Sequence, residues 1–567
     1  MSTAVSIVSK IVASDRNSPM STHPTDTSAR PDERLKNLTS LPRVNLGAII
    51  DHSADPRKVA LIGLAQDDSQ AARAYTYDEL DALADGVARG LLARGLSQGD
   101  RVAILAANSP RYVATVLGIM RAGLIAVPVN FKFPVAQVAY VIGDSGARLV
   151  FVDAAREAAL PEGLTAVALD EPRSEPGTES EFKPEAEPEI TAIRRPASSA
   201  IESFDRFVSP GRFEPVEPAA DDTPAMMLYT SGSTGRPKGV VLSHASQWWV
   251  VQTRLAATPL GRERPLIAAP LYHMNAMALV LLALASHAST VLLPQFSAAR
   301  YLRAIGQYRC TWLTAVPPMI AMMLQERELL AQTALDSVRA VRMGSAPVSA
   351  SLLAAIHRIL PNARIINAYG TTEGGPVVFG PHPNGLPTPP MSVGYPHPAV
   401  AMRLIRDDDD PAGQGMLALR SPGQMLRYHQ RPDIAVPFDK QGYYLTGDVF
   451  RRDADGFHYF VGRRDDMFVC GGENIYPGEV ERMLETHPAV EQAVVVPVDD
   501  EIKGQKPVAF VVLRAGHKTD EAALKTYSLE HAPAYQHPRK VWVVPALPLA
   551  STNKVDRALL KQWAAQR

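Results

Sequence analysis

The sequence predicts an α/β protein with large doubly wound sheets in its N-terminal region and a small α+β domain at its C-terminal end. Its 567 residues exceed one ordinary core, because a domain takes roughly 150 residues. Helix and strand patterns alternate over residues 45–154 and again over 226–462, which is typical of parallel sheets covered by helices. The C-terminal residues instead carry three apolar strand patterns and one helix pattern.

The first alternating stretch begins with a helix pattern over residues 75–95, behind a capping box formed by Thr76 and Glu79. Its apolar positions recur at helical spacing, at Leu80, Leu83, Ala84, Val87 and Leu91. A buried strand over 101–107, a helix over 111–123 and a second strand over 124–130 follow. This order predicts parallel strands joined by helical crossovers.

The charge balance excludes two classes of protein. Lys and Arg total 58 against 59 Asp and Glu, and charged residues make up 21% of the chain. These values exclude a basic nucleic-acid binder and a mainly disordered acidic chain. The longest apolar run, Ala276 to Ala285, is about half a membrane span. The N-terminus lacks the basic region of a signal peptide, and two cysteines favour a reducing compartment. We therefore expect a cytoplasmic protein without a membrane span.

Proline is unusually frequent, with 47 residues against 37 glycines. The prolines concentrate in residues 1–43, 161–224 and 376–398. The first segment lacks periodic apolar positions and is predicted to be a flexible extension. The second is rich in Pro and Glu and is predicted to be a solvated, partly disordered insertion, because it buries too little to offset its ordering entropy. The third is predicted to be a stiff loop that borders the functional site.

The motif with the clearest chemistry is Tyr229 to Val240, YTSGSTGRPKGV. Its glycines let backbone N–H groups approach an anion, its hydroxyl side chains donate to phosphate oxygens, and Lys238 adds positive charge. The spacing does not fit the Walker phosphate loop. Apolar strand patterns flank the motif on both sides, so a flexible linker is the less favoured interpretation.

Three further motifs define the class, and they are INAYGTTEGG at 366–375, YYLTGDVFRRDADGFHYFVGRRDD at 443–466 and LASTNKVDR at 549–557. With the phosphate loop, PLYH at 270–273 and GGENIYPGEVE at 471–481, they resemble the adenylate-forming superfamily in order and spacing over residues 45–567. The stretch after Gly462 is similar to that of aryl-CoA and related acyl-CoA ligases, of the feruloyl-CoA synthetase and chlorobenzoate-CoA ligase type.

This resemblance implies an AMP-forming acid–thiol ligase that uses ATP, Mg²⁺ and CoA and has no prosthetic group. A carboxylic acid and ATP would give acyl-AMP and pyrophosphate, and CoA would then convert acyl-AMP to acyl-CoA and AMP. Two alternatives stay open: a freestanding adenylation enzyme that loads the phosphopantetheine of a carrier protein, and a non-catalytic nucleotide-binding homologue. No carrier-domain pattern occurs in the sequence, which favours CoA as the acceptor.

The resemblance also implies the domain organisation. Residues 1–43 would be the extension, and residues 44–464 would form a large ATP- and acyl-binding domain that includes a smaller β subdomain. Residues 465–567 would form a small mobile domain that carries the catalytic lysine, with Asp465 as the hinge.

The nucleotide contacts follow from the same resemblance. Lys238 and the phosphate loop would bind the β- and γ-phosphates, and Glu373 would hold Mg²⁺. Tyr369 would stack on adenine, while Asp448 and Arg463 would bind the ribose. The full predicted ATP- or AMP-binding set is Thr230, Ser231, Gly232, Ser233, Thr234, Gly344, Ser345, Ala346, Pro347, Asn367, Ala368, Tyr369, Gly370, Thr371, Thr372, Asp448 and Arg463.

The predicted catalytic residues are Lys554, Lys238, His273 and Glu373. Lys554 resembles the lysine of the superfamily that bridges the substrate carboxylate and the α-phosphate. The common form of that motif has Gly before the lysine, where this chain has Asn553. For the second step, the resemblance implies that Gly471, Gly472 and Glu473 contact the pantetheine arm of CoA.

The predicted acyl pocket comprises Tyr272, His273, Met274, Met343, Gly344 and Gly370. No Asp or Glu occurs between Pro265 and Gln325, so the ammonium of an amino-acid substrate would lack a buried partner. We therefore expect an uncharged tail on an aryl or medium-length apolar acid. Trp248, Trp249 and Met277 could line the same pocket or lie in the core. The expected partners are this acid, ATP and CoA, with no nucleic acid, and a homodimer stays open.

Overall fold

The computed structural model describes residues 43–66, 71–170, 201–230, 236–344, 346, 348–406, 412–431, 437–470, 473–500, 503–550 and 554–567. Within these residues the chain alternates helices and strands and pairs its strands into several sheets, which confirms the predicted α/β class. Two large mixed sheets come first, followed by a smaller antiparallel sheet and a C-terminal mixed sheet.

One large sheet has eight strands among the described residues. From edge to edge they are β19 (Arg427–Tyr428), β9 (Lys238–Ser243), β8 (Pro224–Thr230), β4 (Ile125–Pro128), β3 (Arg101–Leu105), β5 (Ala147–Val152), β6 (Thr165–Ala168) and β7 (Glu202–Ser203). The strands from β8 to β7 are parallel neighbours, whereas β9 pairs antiparallel with both β8 and β19.

The second large sheet has seven strands in the described part of the chain. They are β14 (Arg364–Ala368), β13 (Ala340–Gly344), β12 (Trp312–Ala315), β10 (Pro265–Ile267), β11 (Thr290–Leu292), β1 (Val59–Gly63) and β2 (Arg73–Thr76). All neighbours are parallel except β1 and β2. Parallel strands end at the same edge, so the loops after β13 and β14 open on one side.

The helices cover these sheets and the C-terminal sheet. They are α1 (Tyr77–Ala93), α2 (Pro110–Arg121), α3 (Val135–Ser145), α4 (Phe204–Phe207), α5 (His244–Ala257), α6 (Met274–Ala285), α7 (Ala298–Tyr308), α8 (Pro317–Gln325), α9 (Arg327–Gln332), α10 (Ala350–Ile359), α11 (Pro477–Glu485), α12 (Glu521–His531) and α13 (Arg557–Gln566). The predicted capping box is confirmed, because the Glu79 N–H donates to the Thr76 hydroxyl and the Thr76 N–H donates to the Glu79 carboxylate. None of the described helices is both long and apolar enough to traverse a bilayer.

The smaller sheets begin at Phe379. An antiparallel sheet contains β17 (Ala401–Ile405), β18 (Gln414–Arg420), β20 (Tyr444–Arg452) and β21 (His458–Arg463), next to a short pair of β15 (Phe379–Gly380) and β16 (Tyr395–Pro396). A 3₁₀ turn at Arg464–Asp466 leads into the C-terminal sheet of β23 (Glu473–Ile475), β22 (Phe468–Cys470), β25 (Gly504–Leu513), β24 (Val490–Asp500) and β26 (Lys540–Val543). The three predicted C-terminal strands and the helix after residue 476 are thus confirmed.

The prediction that residues 161–224 form a solvated insertion is wrong at both ends of that segment. Strand β6 adds to the eight-stranded sheet, and the rings of Phe204 and Phe207 are buried edge-on against Phe151. These apolar groups stabilise the flanks because they bury area against an existing sheet, which the Pro and Glu content concealed. Residues 171–200 lie outside the described residues, and so do residues 1–42 of the extension predicted over 1–43.

Candidate functional site

A cavity of about 1440 Å³ opens where the two large sheets, the antiparallel sheet and the C-terminal unit meet. Most of the described residues that the motifs predicted lie on its wall. These are Thr230, Lys238, Tyr272, His273, Met274, Gly344, Ala346, Asn367, Ala368, Tyr369, Gly370, Thr371, Thr372, Glu373, Asp448, Arg463, Asp465 and Lys554. The third proline-rich segment also borders the cavity, as predicted, since the Asn367 amide donates to the carbonyl of Met391.

One end of the cavity is built on the β8–β9 hairpin. Thr230 and Lys238 face each other as the last paired residues of this hairpin, so both lie at the base of the phosphate loop. The Thr230 hydroxyl donates to Glu373 Oε1 over 3.2 Å, and the Tyr428 hydroxyl donates to the same oxygen over 3.1 Å. The Lys238 ammonium lies 5.1 Å from the centre of the Tyr428 ring. The sequence analysis missed Tyr428, because only the pairing of β19 with β9 brings it here.

The donor set at Glu373 fits a magnesium ion. Its carboxylate and the Thr230 hydroxyl offer hard oxygen ligands, which Mg²⁺ prefers. Among the described residues, no group of three or more His, Cys, Asp or Glu side chains could hold a metal by itself. A cation at Glu373 would therefore need further oxygen ligands, and the phosphates of a bound nucleotide are the usual source.

Asp448 is a buried carboxylate on another part of the cavity wall. Asp448 accepts hydrogen bonds from the Tyr369 hydroxyl and, over 3.1 Å, from Arg463 Nη1. The preceding Gly447 has a φ of +71°, a left-handed conformation that favours glycine, at the point where the pairing of β20 with β18 shifts register. Burial raises the pKa of Asp448, although Arg463, Tyr369 and Lys554 act in the opposite direction.

Tyr369 belongs to an aromatic cluster, with its ring edge-on to Phe379 and Phe450. It therefore both packs against the antiparallel sheet and lines the cavity. The two interpretations that a sequence alone offers for this residue, core packing and ligand contact, are compatible in the fold.

Lys554 enters the cavity from the C-terminal unit, in the segment before α13. Burial lowers the pKa of its ammonium, Asp448 raises it, and Arg463 lowers it further. The same ammonium acts on His273: burial, then Lys554 and Lys132, lower the pKa of His273 to about 3. Among the described residues, no group hydrogen-bonds to the buried Nε2 of His273. Lys554 therefore connects the Asp448 wall electrostatically with His273.

We refer to the part of the cavity wall around His273 as the acyl arm. Tyr272 and Met274 flank His273, and Asn275 and Arg342 follow on the wall. Arg342 Nη1 donates to Asn275 Oδ1 over 3.0 Å. The sequence analysis missed this pair, because the scan for acyl-pocket charge covered acidic residues up to Gln325 and Arg342 lies beyond it.

The placement of Met343 in the acyl pocket is wrong. Its side chain is 0% exposed and packs in the core between the seven-stranded sheet and its helices. Side chains alternate between the two faces of a strand, so Arg342 and Gly344 share the cavity face of β13 and Met343 points to the other. Trp249 and Met277 are likewise buried in the cores and Trp248 packs against them, whereas Met274 lines the cavity.

Several predicted residues are not brought to the cavity or cannot be placed. Glu473 is exposed on β23, opposite the buried Cys470 and away from the cavity wall. The predicted residues outside the described part of the chain are Ser231, Gly232, Ser233, Thr234, Ser345, Pro347, Gly471 and Gly472.

Comparisons with known proteins agree with this geometry. The chain matches the family described as AMP-binding enzyme over residues 51–429 and the AMP-binding enzyme C-terminal domain over residues 479–554. Sulfoacetate–CoA ligase of Cupriavidus necator is 32% identical over 508 residues, which cover 87% of this chain and 93% of that protein. Feruloyl-CoA synthase of an Amycolatopsis species is 32% identical, over 85% of this chain and 92% of that protein.

A solved structure extends the likeness to the fold. The anthranilate CoA ligase in complex with anthranoyl-AMP superposes with a TM-score of 0.77 at 25% identity, over 94% of this chain and 100% of that chain. Both family matches, the relatives of nearly equal length and the fold lead to one conclusion. The chain belongs to the AMP-binding enzyme family, as the motifs predicted, and it is an AMP-forming acid–CoA ligase that uses ATP and CoA.

Proposed function

We propose that Lys554 bridges the two reacting groups of adenylation, the carboxylate of the acid and the α-phosphate of ATP. The observation that carries this proposal is the convergence of Lys554, His273 and the Asp448–Arg463 pair in one cavity. Two anions repel each other as they approach, so a cation between them stabilises the transition state more than the separated reactants.

In this step a carboxylate oxygen bonds to the α-phosphorus while the bond from that phosphorus to the bridging oxygen of the β-phosphate breaks, which releases pyrophosphate. The thiol of CoA then loses its proton to solvent and the thiolate attacks the acyl carbon, while the bond from that carbon to the AMP oxygen breaks and AMP is released. Lys554 has no role in this second step in our proposal.

We assign His273 a different part in the first step. With a pKa of about 3 its imidazole is neutral at physiological pH, so it adds no second cation beside Lys554. In the tautomer that is protonated at Nε2, this nitrogen, which no described group contacts by a hydrogen bond, can donate one hydrogen bond to the carboxylate of the acid. The ring would then orient the attacking oxygen rather than move a proton.

We place the ATP phosphates at the β8–β9 hairpin, with Thr230 and Lys238 as donors. Glu373 and Thr230 would hold Mg²⁺, which supplies positive charge to the departing pyrophosphate when it is bound. At the other end, the carboxylate of Asp448 would accept hydrogen bonds from the ribose hydroxyls, and Tyr369 would lie against adenine. Burial of Asp448 supports this, because a buried carboxylate gains most from such donors.

We further propose that the C-terminal unit begins at Asp465 and rotates between the two steps. Its support is the 3₁₀ turn at Arg464–Asp466, which separates β21 from the C-terminal sheet. Rotation would withdraw Lys554 and bring Glu473, with Gly471 and Gly472, to the cavity from which Glu473 now lies apart. The exposure of Glu473 is consistent with such a second position.

The acid would occupy the arm that starts at His273, whose walls include the apolar side chains of Met274, Met319 and Val348. These apolar walls support our proposal of an acid with an aryl or medium-length acyl body. The names of two relatives point to different acids, sulfoacetate and a feruloyl group, so the relatives do not decide the tail.

Two buried free cysteines, Cys310 and Cys470, support a reducing, cytoplasmic location.

Half-reaction kinetics test this function. Acid-dependent exchange of labelled pyrophosphate into ATP reports adenylation, and thioester formation from preformed acyl-AMP reports the second step. We expect the enzyme to catalyse acid-dependent pyrophosphate exchange and to form the thioester with CoA as the acceptor. Thioester formation on a holo carrier protein at a higher kcat/KM than on CoA would favour the adenylation-enzyme alternative, and nucleotide binding without exchange would favour the non-catalytic one.

A further inference from the structure

The acyl arm of the cavity contains a positive charge, that of Arg342, which no carboxylate among the described residues neutralises. Arg342 lies in the middle of β13 on its cavity face, and the carbonyl oxygen of the Asn275 side chain accepts a hydrogen bond from its Nη1 over 3.0 Å. Within the described part of the chain, this is the only acceptor that the Arg342 side chain contacts. Its Nε and Nη2 donors therefore stay available to a ligand.

A second guanidinium reinforces this charge. Arg254, near the end of α5, is also half-buried, and no described carboxylate lies within ion-pair distance of either arginine. Burial lowers the pKa of Arg342 to about 10, and burial together with Arg342 lowers the pKa of Arg254. Two neighbouring guanidinium groups without an acid destabilise each other, and a bound anion would relieve that repulsion.

The position of Arg342 distinguishes it from the phosphate-binding cations. Lys238 lies on the β8–β9 hairpin with Tyr428, and Arg463 is paired with Asp448. Arg342 instead lies on β13 and contacts Asn275, in the first turn of α6 and two residues beyond His273. If His273 and Lys554 hold the reacting carboxylate, Arg342 faces the remainder of the acid.

We propose that Arg342, oriented by Asn275, binds a second anionic group on the acid, a carboxylate or a sulfonate, so that the substrate is an acid with an anion at each end. The planar guanidinium can give two parallel hydrogen bonds to either group, which adds directional selectivity to the charge. The apolar walls at Met274, Met319 and Val348 would contact the body of the acid between these ends. This proposal rests on the proposed function and replaces the expectation of an uncharged tail.

The lack of Asp and Glu between Pro265 and Gln325 still disfavours an acid with a cationic tail. Arg342 makes an anionic tail more favourable than a neutral one, because only the anion compensates a charge that is already desolvated.

Matched acids test the proposal on the wild-type enzyme. The pairs are succinate against succinamate, isophthalate against meta-toluate, and meta-sulfobenzoate against meta-toluate, assayed by pyrophosphate exchange and by thioester formation with CoA. We expect kcat/KM for at least one doubly anionic acid to exceed that for its partner with a neutral tail by about 10- to 100-fold, the range for a charged hydrogen bond. The carboxylate and sulfonate pairs show which anion the arm prefers.

Variants locate the effect. Arg342→Gln should raise KM for the doubly anionic acid and remove its advantage, with kcat nearly unchanged, because the lost contact is equal in the ground state and the transition state. Arg342→Lys should restore part of the preference through its charge. Arg358→Gln is the matched control, since Arg358 is an exposed arginine near the end of α10 that does not line the cavity, and it should leave the ratio unchanged.

Three results would overturn the proposal. Equal or better use of the neutral partner in every pair would do so while the ligase function stands. An equal loss for both members of a pair in Arg342→Gln would assign Arg342 a purely structural role. If no acid of either class supports pyrophosphate exchange, the proposed function of the cavity falls, and this inference falls with it.

Discussion

The guanidinium of Arg463 lies 3.1 Å from the carboxylate of Asp448, across the pairing of β20 with β21. The other nitrogen of the same guanidinium lies 3.5 Å from the carboxylate of Asp465, in the turn that leads to the C-terminal unit. The Arg463 side chain thus contacts both Asp448, which we propose binds the ribose, and Asp465, the proposed hinge.

Replacing Asp448 tests the nucleotide assignment. Asp448→Asn should raise KM for ATP by about 10- to 100-fold, since it removes charge-assisted hydrogen bonds to the ribose, whereas kcat should change less. Tyr369→Phe should have a smaller effect in the same direction. Steady-state kinetics with varied ATP measure both, and Asp455→Asn, at an exposed turn between β20 and β21, is the control. A normal KM in Asp448→Asn would contradict the assignment.

Replacing Lys554 tests the division of labour between the two steps. Lys554→Ala should lower the rate of pyrophosphate exchange by about 100-fold or more, the usual loss for a charge that stabilises a transition state. Thioester formation from preformed acyl-AMP should stay close to the wild-type rate. Lys561→Ala, on the exposed face of α13, removes the same charge nearby and should change neither rate. Adenylation at the normal rate by Lys554→Ala would refute the mechanism.

Replacing Glu373 tests the metal site. Glu373→Gln keeps the size of the side chain and an acceptor for Thr230 and Tyr428 but removes the negative charge. The Mg²⁺ concentration that gives half-maximal pyrophosphate exchange should therefore rise by about 10-fold or more. Titrations with Mg²⁺ at fixed ATP measure the shift, with Glu328→Gln on the exposed side of α9 as the control. An unchanged requirement for Mg²⁺ would place the metal elsewhere.

Buried neutral histidines predict how stability depends on pH. Burial lowers the pKa of His244 to about 4, of His273 to about 3 and of His458 to about 4, from an ordinary value of 6.5. Between pH 6.5 and about 4 these histidines bind protons in the unfolded chain but stay neutral in the folded chain. Their contribution to stability is therefore fully present above pH 6.5. That stability is lost progressively as the pH falls from 6.5 towards 4.

His244 offers the clearest test of this effect, because its Nδ1 accepts a hydrogen bond from the Leu46 N–H and it lies outside the cavity. As the pH falls from 6 to 4.5, the free energy of unfolding of His244→Gln should fall less steeply than that of the wild type. The two slopes should differ by about 1.4 kcal/mol per pH unit, which corresponds to about one proton. Denaturant unfolding at several pH values measures this slope. His517→Gln, at an exposed position, should keep the wild-type slope. An unchanged slope in His244→Gln would mean that His244 is not buried neutral.

Short-range patterns were enough to predict most of the architecture. The capping box of Thr76 and Glu79, the alternation of helices and strands and the C-terminal strands all depend on neighbouring residues, and the structure confirms them. The order of the motifs similarly placed Lys238, Glu373, Asp448 and Lys554 on one site, although they lie far apart in the chain. Residues 161–224 show the limit, because composition could not reveal that Phe204 and Phe207 pack on a distant strand.

The sequence by itself therefore determined the class of this protein, its elements and the residues with the strongest chemical signatures. Only the tertiary structure decided which neighbours of those residues reach the cavity. In the structure Met343 lies in the core and Arg342 lies on the cavity wall, because alternate residues of β13 face opposite sides of the sheet. The tertiary structure also brought Tyr428 to Glu373 and Asn275 to Arg342, contacts that span many residues and that arise from strand pairing and helix packing. Whether a charged side chain such as Arg342 has a partner depends on its three-dimensional surroundings. The anionic tail of the acid could therefore be inferred only from the tertiary structure.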